Sequence, residues 1–235
     1  MRDRRVALGA VAALAAVLAA CAPQVAAPPE AGALAPSDFP ASHYQRLLAQ
    51  GKPVFRVDAA RSIVVVEVRR GGSLARFGHD HVVASHDAAG YVAPDEGRAD
   101  LYLPLAALVV DEPALRAEAG FDTQPSPADI AGTRSNMLDK VLEVDRYPHA
   151  LIAVRETGAD GSTGRFRVTV TLHGVSRPVE VAARIAVAAD GVAVTGTASI
   201  DQSEFGIAPF SILGGAIAVQ DRVNVSFRIH ARRIE

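Results

Sequence analysis

RFRVTVTLH (165–173) alternates apolar and polar residues without a break. Phe166, Val168, Val170 and Leu172 share one face, and Arg165, Arg167, Thr169 and Thr171 share the other. Successive side chains of a strand point to opposite faces, so this period of two predicts a half-buried antiparallel β-strand. The same period continues on the C-terminal side. PVEVAARIAV (178–187) aligns Val179, Val181, Ala183, Ile185 and Val187, and RVNVSFRIHAR (222–232) aligns Val223, Val225, Phe227 and Ile229. VAVTGTASID (192–201) alternates with smaller residues. Gly-Val-Ser-Arg-Pro (174–178) and Ala-Asp-Gly (189–191) are turn signals between these runs. Strands so numerous and so regularly spaced predict an all-β barrel or sandwich.

Toward the N-terminus, RSIVVVEVRR (61–70), RFGHDHVVASH (76–86) and RADLYLPLAAL (98–108) read as further strands. The period then changes. SPADIAGTRSNMLDKVLEV (126–144) opens with Ser126 as N-cap, Pro127 at the first helical position and Asp129 placed for a capping box. Ile130, Met137, Leu138, Val141 and Leu142 recur at helical spacing, and Pro148 forbids continuation. One helix of about five turns is therefore expected on or near the barrel mouth. Tyr147-Pro148 reads as its structural stop, and Arg134 as a surface salt-bridge residue. SEFGIAPFSILGGA (203–216) is apolar and glycine-rich without a period, which predicts a long loop over the barrel end.

The first twenty residues, MRDRRVALGAVAALAAVLAA, combine a basic start with a short uncharged apolar run. That is the pattern of an export signal too short to span a bilayer comfortably. It ends at Leu18-Ala19-Ala20-Cys21, which looks like a bacterial lipobox, and Cys21 is the only cysteine. Lipidation of Cys21 uses a thiol that can form no internal disulfide. Ala22 follows it, so an outer-membrane lipoprotein facing the periplasm is the expected location. Residues 21–52 are expected to be a lipidated tether rich in Ala and Pro, with a short helical turn at 43–51, and 53–235 one folded domain. Without residues 1–20 the chain carries 21 basic against 25 acidic residues and no tryptophan, which gives no footprint for nucleic acid.

SNMLDKVLEVDRYPHALIAV (135–154), GRFRVTVTLHGVSRPVEV (164–181) and SEFGI (203–207), taken in that order with VDAARSIVVVEV (57–68), resemble the YceI-like family. The resemblance covers about residues 54–234. It implies a lipocalin-like antiparallel β-barrel whose apolar cavity holds a polyisoprenoid, and it implies no enzymatic activity. The Gly-His-Asp-His stretch at 78–81 is a departure from the more familiar members.

Read as a strand, 76–86 puts Phe77, His79, His81 and Val83 on one face, the lumen of a barrel, and leaves His86 at a strand end. Two imidazoles at i, i+2 can share a metal ion, but no third ligand is announced by spacing. His173 and His230 fall on outward parity, and His149 sits at a helix–strand junction. No nucleophile elbow, Cys–His pair or carboxylate dyad stands out, so the reading is a binding protein and not an enzyme, with no cofactor required. The remaining alternatives are a polar anchor for an amphiphile's head group, or a pair satisfied within the protein. Phe77, His79, His81, Val83 and Met137 are the expected ligand-contacting residues. The expected partner is an isoprenoid-type lipid, a quinone or a polyprenyl compound.

Overall fold

The structure, a computed structural model, describes residues 35–160 and 163–234. The expected export signal, Cys21 and the first part of the expected tether lie outside the described residues. Among the described residues, fourteen strands carry the fold: β1 (Phe55–Val57), β2 (Ile63–Val68), β3 (Arg70–Gly71), β4 (His81–Ser85), β5 (Ala89–Ala93), β6 (Arg98–Pro104), β7 (Val109–Val110), β8 (His149–Asp160), β9 (Thr163–Leu172), β10 (Val175–Val187), β11 (Gly191–Asp201), β12 (Ser211–Ile212), β13 (Ile217–Val219) and β14 (Arg222–Arg233). Three helices accompany them: α1 (Ala41–Ala49), α2 (Pro113–Glu118) and α3 (Pro127–Asn136).

Every pairing is antiparallel. β1 bonds to β5 on one side and to the end of β14 on the other. The ladder β1-β5-β6-β8-β9-β10-β11-β14 therefore returns to its start. The same edge of β14 carries β2 lower down, at 224–228, and the wall continues there through β4 to β7. The result is the expected lipocalin-like barrel. The four strands with the clearest period of two, β9, β10, β11 and β14, are neighbours in it, which is why the sequence pattern is strongest there. Phe166, Val168, Val181 and Ala183 are buried together on the inner face.

α3 begins as its sequence predicts. Asp129 N–H donates to Ser126 Oγ, and the Asp129 carboxylate accepts from Ser126 N–H. The helix is shorter than five turns. After Asn136 it widens into a single π-turn, Met137–Val141, closed by Leu142 N–H donating to the Met137 carbonyl at 2.8 Å. Arg134 is not a salt-bridge residue: its guanidinium donates to the carbonyls of Leu108 (3.1 Å) and Ala106 (2.6 Å) and pins α3 beside β7. Tyr147 packs its ring on His173 and closes the corner, as expected of a structural stop.

The loop over the barrel end is more ordered than expected. β12 and β13 pair, and β13 pairs with β3, to make a small second sheet. Gly72 lets this happen. Its φ is +86°, and a Cβ there would stand 2.4 Å from the Ala216 carbonyl oxygen, so only glycine fits the approach.

The N-terminal boundary also moves. α1 packs on the outside of the wall, with Tyr44, Leu47, Val54 and Ala93 buried together. The packed part of the chain therefore starts before residue 53, and the expected tether gives way to a docked helix by Ala41.

Candidate functional site

The lumen is hollow. A cavity of about 760 Å³ runs through the barrel and is lined almost entirely by aliphatic and aromatic side chains of the inner strand faces. Along β10 alone it is bordered from Val179 to Val187, a path of roughly 26 Å at 3.3 Å per residue. That volume lies in the range of small-molecule sites, and the elongated shape suits a chain more than a compact ring.

Arg98 and Glu156 border the cavity where β6 begins, and a larger polar group gathers at the other end. His79, His81, Asp129, Thr133 and Asn136 line the cavity there, beside Met137 and Val83. The expected inward set of Phe77, His79, His81, Val83 and Met137 therefore does border the lumen, although the local structure differs from the expectation. The strand starts at His81, not at Arg76. Residues 75–77 form a 3₁₀ turn in which Phe77 N–H bonds to Leu74 and Gly78 N–H to Ala75, so neither is free for a ladder. Phe77 sits on the rim with 63% of its surface exposed. Met137 borders the cavity, while its neighbour Leu138 is buried outside it.

His86 bonds Glu112 at 2.8 Å and stands apart, so the cluster of three is a pair and an outlier. The rings of His79 and His81 lie 6.0 Å apart, edge to face. Asp80, between them, points away from the lumen and takes the N–H of Arg70 at 2.8 Å. His173 bonds Glu143, and His149 packs against Tyr102. Among the described residues, no three His, Cys, Asp or Glu side chains are grouped to hold a metal ion.

The residue that organises this end was not singled out in the sequence. Asp111 has a fully buried side chain and a backbone in the left-handed region at φ +59°. Its Oδ2 accepts from His81 Nδ1 at 2.6 Å, and its Oδ1 accepts from Val82 N–H at 3.0 Å and Arg116 Nη1 at 2.6 Å. Arg116, carried by α2 and itself buried, also donates to the Asp80 carbonyl. Burial opposes ionisation of Asp111, but the hydrogen bonds from His81, Val82 and Arg116 outweigh it and hold its carboxyl below the usual carboxylate range. The only local signal is an acidic residue straight after the apolar pair Val109-Val110, and it reads equally well as a solvent turn.

With the barrel and its polar end described, the chain can be set beside known proteins. The YceI-like domain matches residues 55–231, three quarters of the chain. The chain belongs to the YceI-like family. Among solved structures it is similar to a polyisoprenoid binding domain from Saccharophagus degradans, with 14% identity, a TM-score of 0.55 and coverage of 77% of this chain and 99% of that one. It is also similar to Burkholderia cenocepacia BcnA, with 17% identity, a TM-score of 0.52 and coverage of 74% and 98%. At these identities the likeness speaks for the YceI-like fold. No match was found among curated proteins.

Proposed function

We propose that this YceI-like protein is a membrane-tethered periplasmic carrier for an isoprenoid-type amphiphile, a quinone or a polyprenyl compound, which it buries and protects without chemical change. The observation that carries the reading is the hollow, mostly apolar lumen with His79 and His81 among the polar groups at one of its ends. An apolar tail gains about 25 cal/mol per Å² removed from water along such a wall, and His79 and His81 meet the head group. The Saccharophagus domain is named for binding polyisoprenoid, which agrees with this use of the fold. Tethering follows from Cys21 once residues 1–20 are removed, with the outer membrane as the site. In this reading a lipid on Cys21 supplies the attachment.

Native mass spectrometry on the chain, expressed with its own leader and released by mild detergent, tests the reading. An adduct of several hundred daltons, extractable into organic solvent, is the expected result. Val168→Trp, which narrows the lumen at mid-length, is expected to reduce adduct occupancy at least tenfold while the barrel still melts cooperatively. A bare polypeptide mass after incubation with polyprenol or quinone would count against the carrier. The double variant His79→Ala/His81→Ala is expected to keep most of the total lipid capture and to lose discrimination between head groups. Equal loss for every apolar ligand would make the pair a support of the fold instead.

A further inference from the structure

The polar end of the lumen is more specific in its chemistry than two histidines alone would suggest. An ionised carboxylate only accepts hydrogen bonds, so the 2.6 Å contact between Asp111 Oδ2 and His81 Nδ1 requires the hydrogen to sit on Nδ1. A neutral imidazole has one N–H. Its other nitrogen, Nε2, is then a bare lone pair, and it has no protein partner among the described residues although the ring borders the cavity. Val82 N–H and Arg116 fill the other oxygen of Asp111, so the carboxylate cannot turn to release His81. In the neutral ring the fold therefore fixes the tautomer, with Nε2 as the acceptor.

The charges at this end point the same way. Asp129 borders the cavity with a carboxyl lowered by its hydrogen bonds to Ser126, with a smaller contribution from the nearby histidines. Arg70 also borders the cavity, but its guanidinium is held by Asp122 at 3.1 Å and lies 3.8 Å from Asp80. A phosphate head group would meet an ionised carboxylate and an arginine that is already paired.

We propose that this end of the lumen selects an uncharged head group carrying a hydroxyl, such as a hydroquinone or a polyprenol, over a quinone carbonyl or a polyprenyl phosphate. The inference rests on the carrier reading and specifies its ligand. A hydroxyl donates to His81 Nε2 and can accept from His79. A carbonyl can only accept, and it offers the His81 lone pair no donor. Sites built around one hydrogen-bond partner reject analogues that lack it, because their own polar groups are then left unpaired.

The test is anaerobic calorimetric titration of the delipidated full chain with decylubiquinone, its dithionite-reduced hydroquinone, geranylgeraniol, geranylgeranyl phosphate and a head-group-free C20 alkane. In the wild type, the hydroquinone is expected to bind about tenfold tighter than the quinone, and the alcohol tighter than the phosphate. Asp111→Asn is the decisive variant. With its amide oxygen still taking Val82 and Arg116, its NH₂ faces His81 Nδ1, drives the hydrogen to Nε2 and is expected to reverse the preference toward the quinone. Should that variant fail to fold, His81→Phe is expected to bind both redox forms equally. Equal affinities of the two redox forms in the wild type, or tighter binding of the phosphate, would overturn the inference while the carrier stands. Failure of every probe, the alkane included, would overturn the carrier reading and this inference with it.

Discussion

Replacing Asp111 with alanine is expected to destabilise the barrel by about 3–5 kcal/mol, the usual result of removing one partner from a buried ion pair. The side chain of Asp111 is fully buried and that of Arg116 nearly so, so the variant leaves a guanidinium inside the protein without its counter-charge. The N–H of Val82 and Nδ1 of His81 lose their acceptor as well. Part of the cost is in the backbone, since alanine tolerates the left-handed conformation less well than aspartate does. Asp111→Asn keeps the shape and most of the hydrogen bonds and is expected to cost markedly less. Denaturant unfolding of the three proteins measures the order directly. If alanine and asparagine cost the same, the charge on Asp111 carries the whole contribution and the hydrogen bonds that asparagine keeps carry none.

The same carboxylate makes stability depend on pH in a defined direction. Its folded-state pKa is depressed, so the unfolded chain binds the proton more readily. Its contribution is complete above the unfolded carboxyl value of about 3.9 and is lost as pH falls through the lower folded value. Glu96, Asp129 and Asp201 are depressed too, through contacts with His43, Ser126 and Arg222 respectively, and they add in the same direction at the surface. Wild-type melting temperature is therefore expected to drop on acidification below about pH 4, and to drop less steeply in Asp111→Asn.

What could be read beforehand followed from periodicity, and what could not depended on contacts distant in sequence. The alternation of β9, β10, β11 and β14 announces an antiparallel wall because each strand is buried on one face only. The inward parity of His79 and His81 holds even though the strand begins at His81: both border the lumen, while Asp80 between them bonds Arg70 N–H away from it. Asp111 was illegible because its role comes from partners 30 positions before it and 5 after it, brought together only when β4 and β7 pair. The hollow lumen was illegible for a different reason: inward residues of a filled and of an empty barrel alternate alike, and only the side-chain volumes across the ring decide between them. α1 was undervalued because its burial rests on few residues, Tyr44 and Leu47 chief among them, at the end of a stretch rich in Ala and Pro.

That helix carries the second large effect. Tyr44→Ala is expected to cost about 3–5 kcal/mol, as for other buried aromatic side chains, which corresponds to roughly 6–20 °C in melting temperature for a domain of this size. Only 1% of Tyr44 is exposed. Its ring lies 5.1 Å from that of Tyr91, and its hydroxyl donates to Asp100 Oδ2 at 2.7 Å. Burial and the Asp100 carboxylate together push the tyrosine hydroxyl well above its ordinary pKa, so it stays a donor throughout the working pH range. Asp100 sits on β6 and also accepts from Arg98 Nε at 2.7 Å, so the tyrosine ties α1 into the barrel wall and not merely onto its surface. Tyr44→Phe keeps the ring and deletes one charge-assisted hydrogen bond, for which about 1.5–3 kcal/mol is expected. Deleting everything up to Gln50 should destabilise at least as much as Tyr44→Ala, because it also uncovers Val54 and Ala93. If the deletion melts like the wild type, α1 is a passive continuation of the tether. If it melts with Tyr44→Ala, the helix is part of the cooperative unit, and any pull transmitted through the N-terminal segment acts on the barrel wall at β5 and β6.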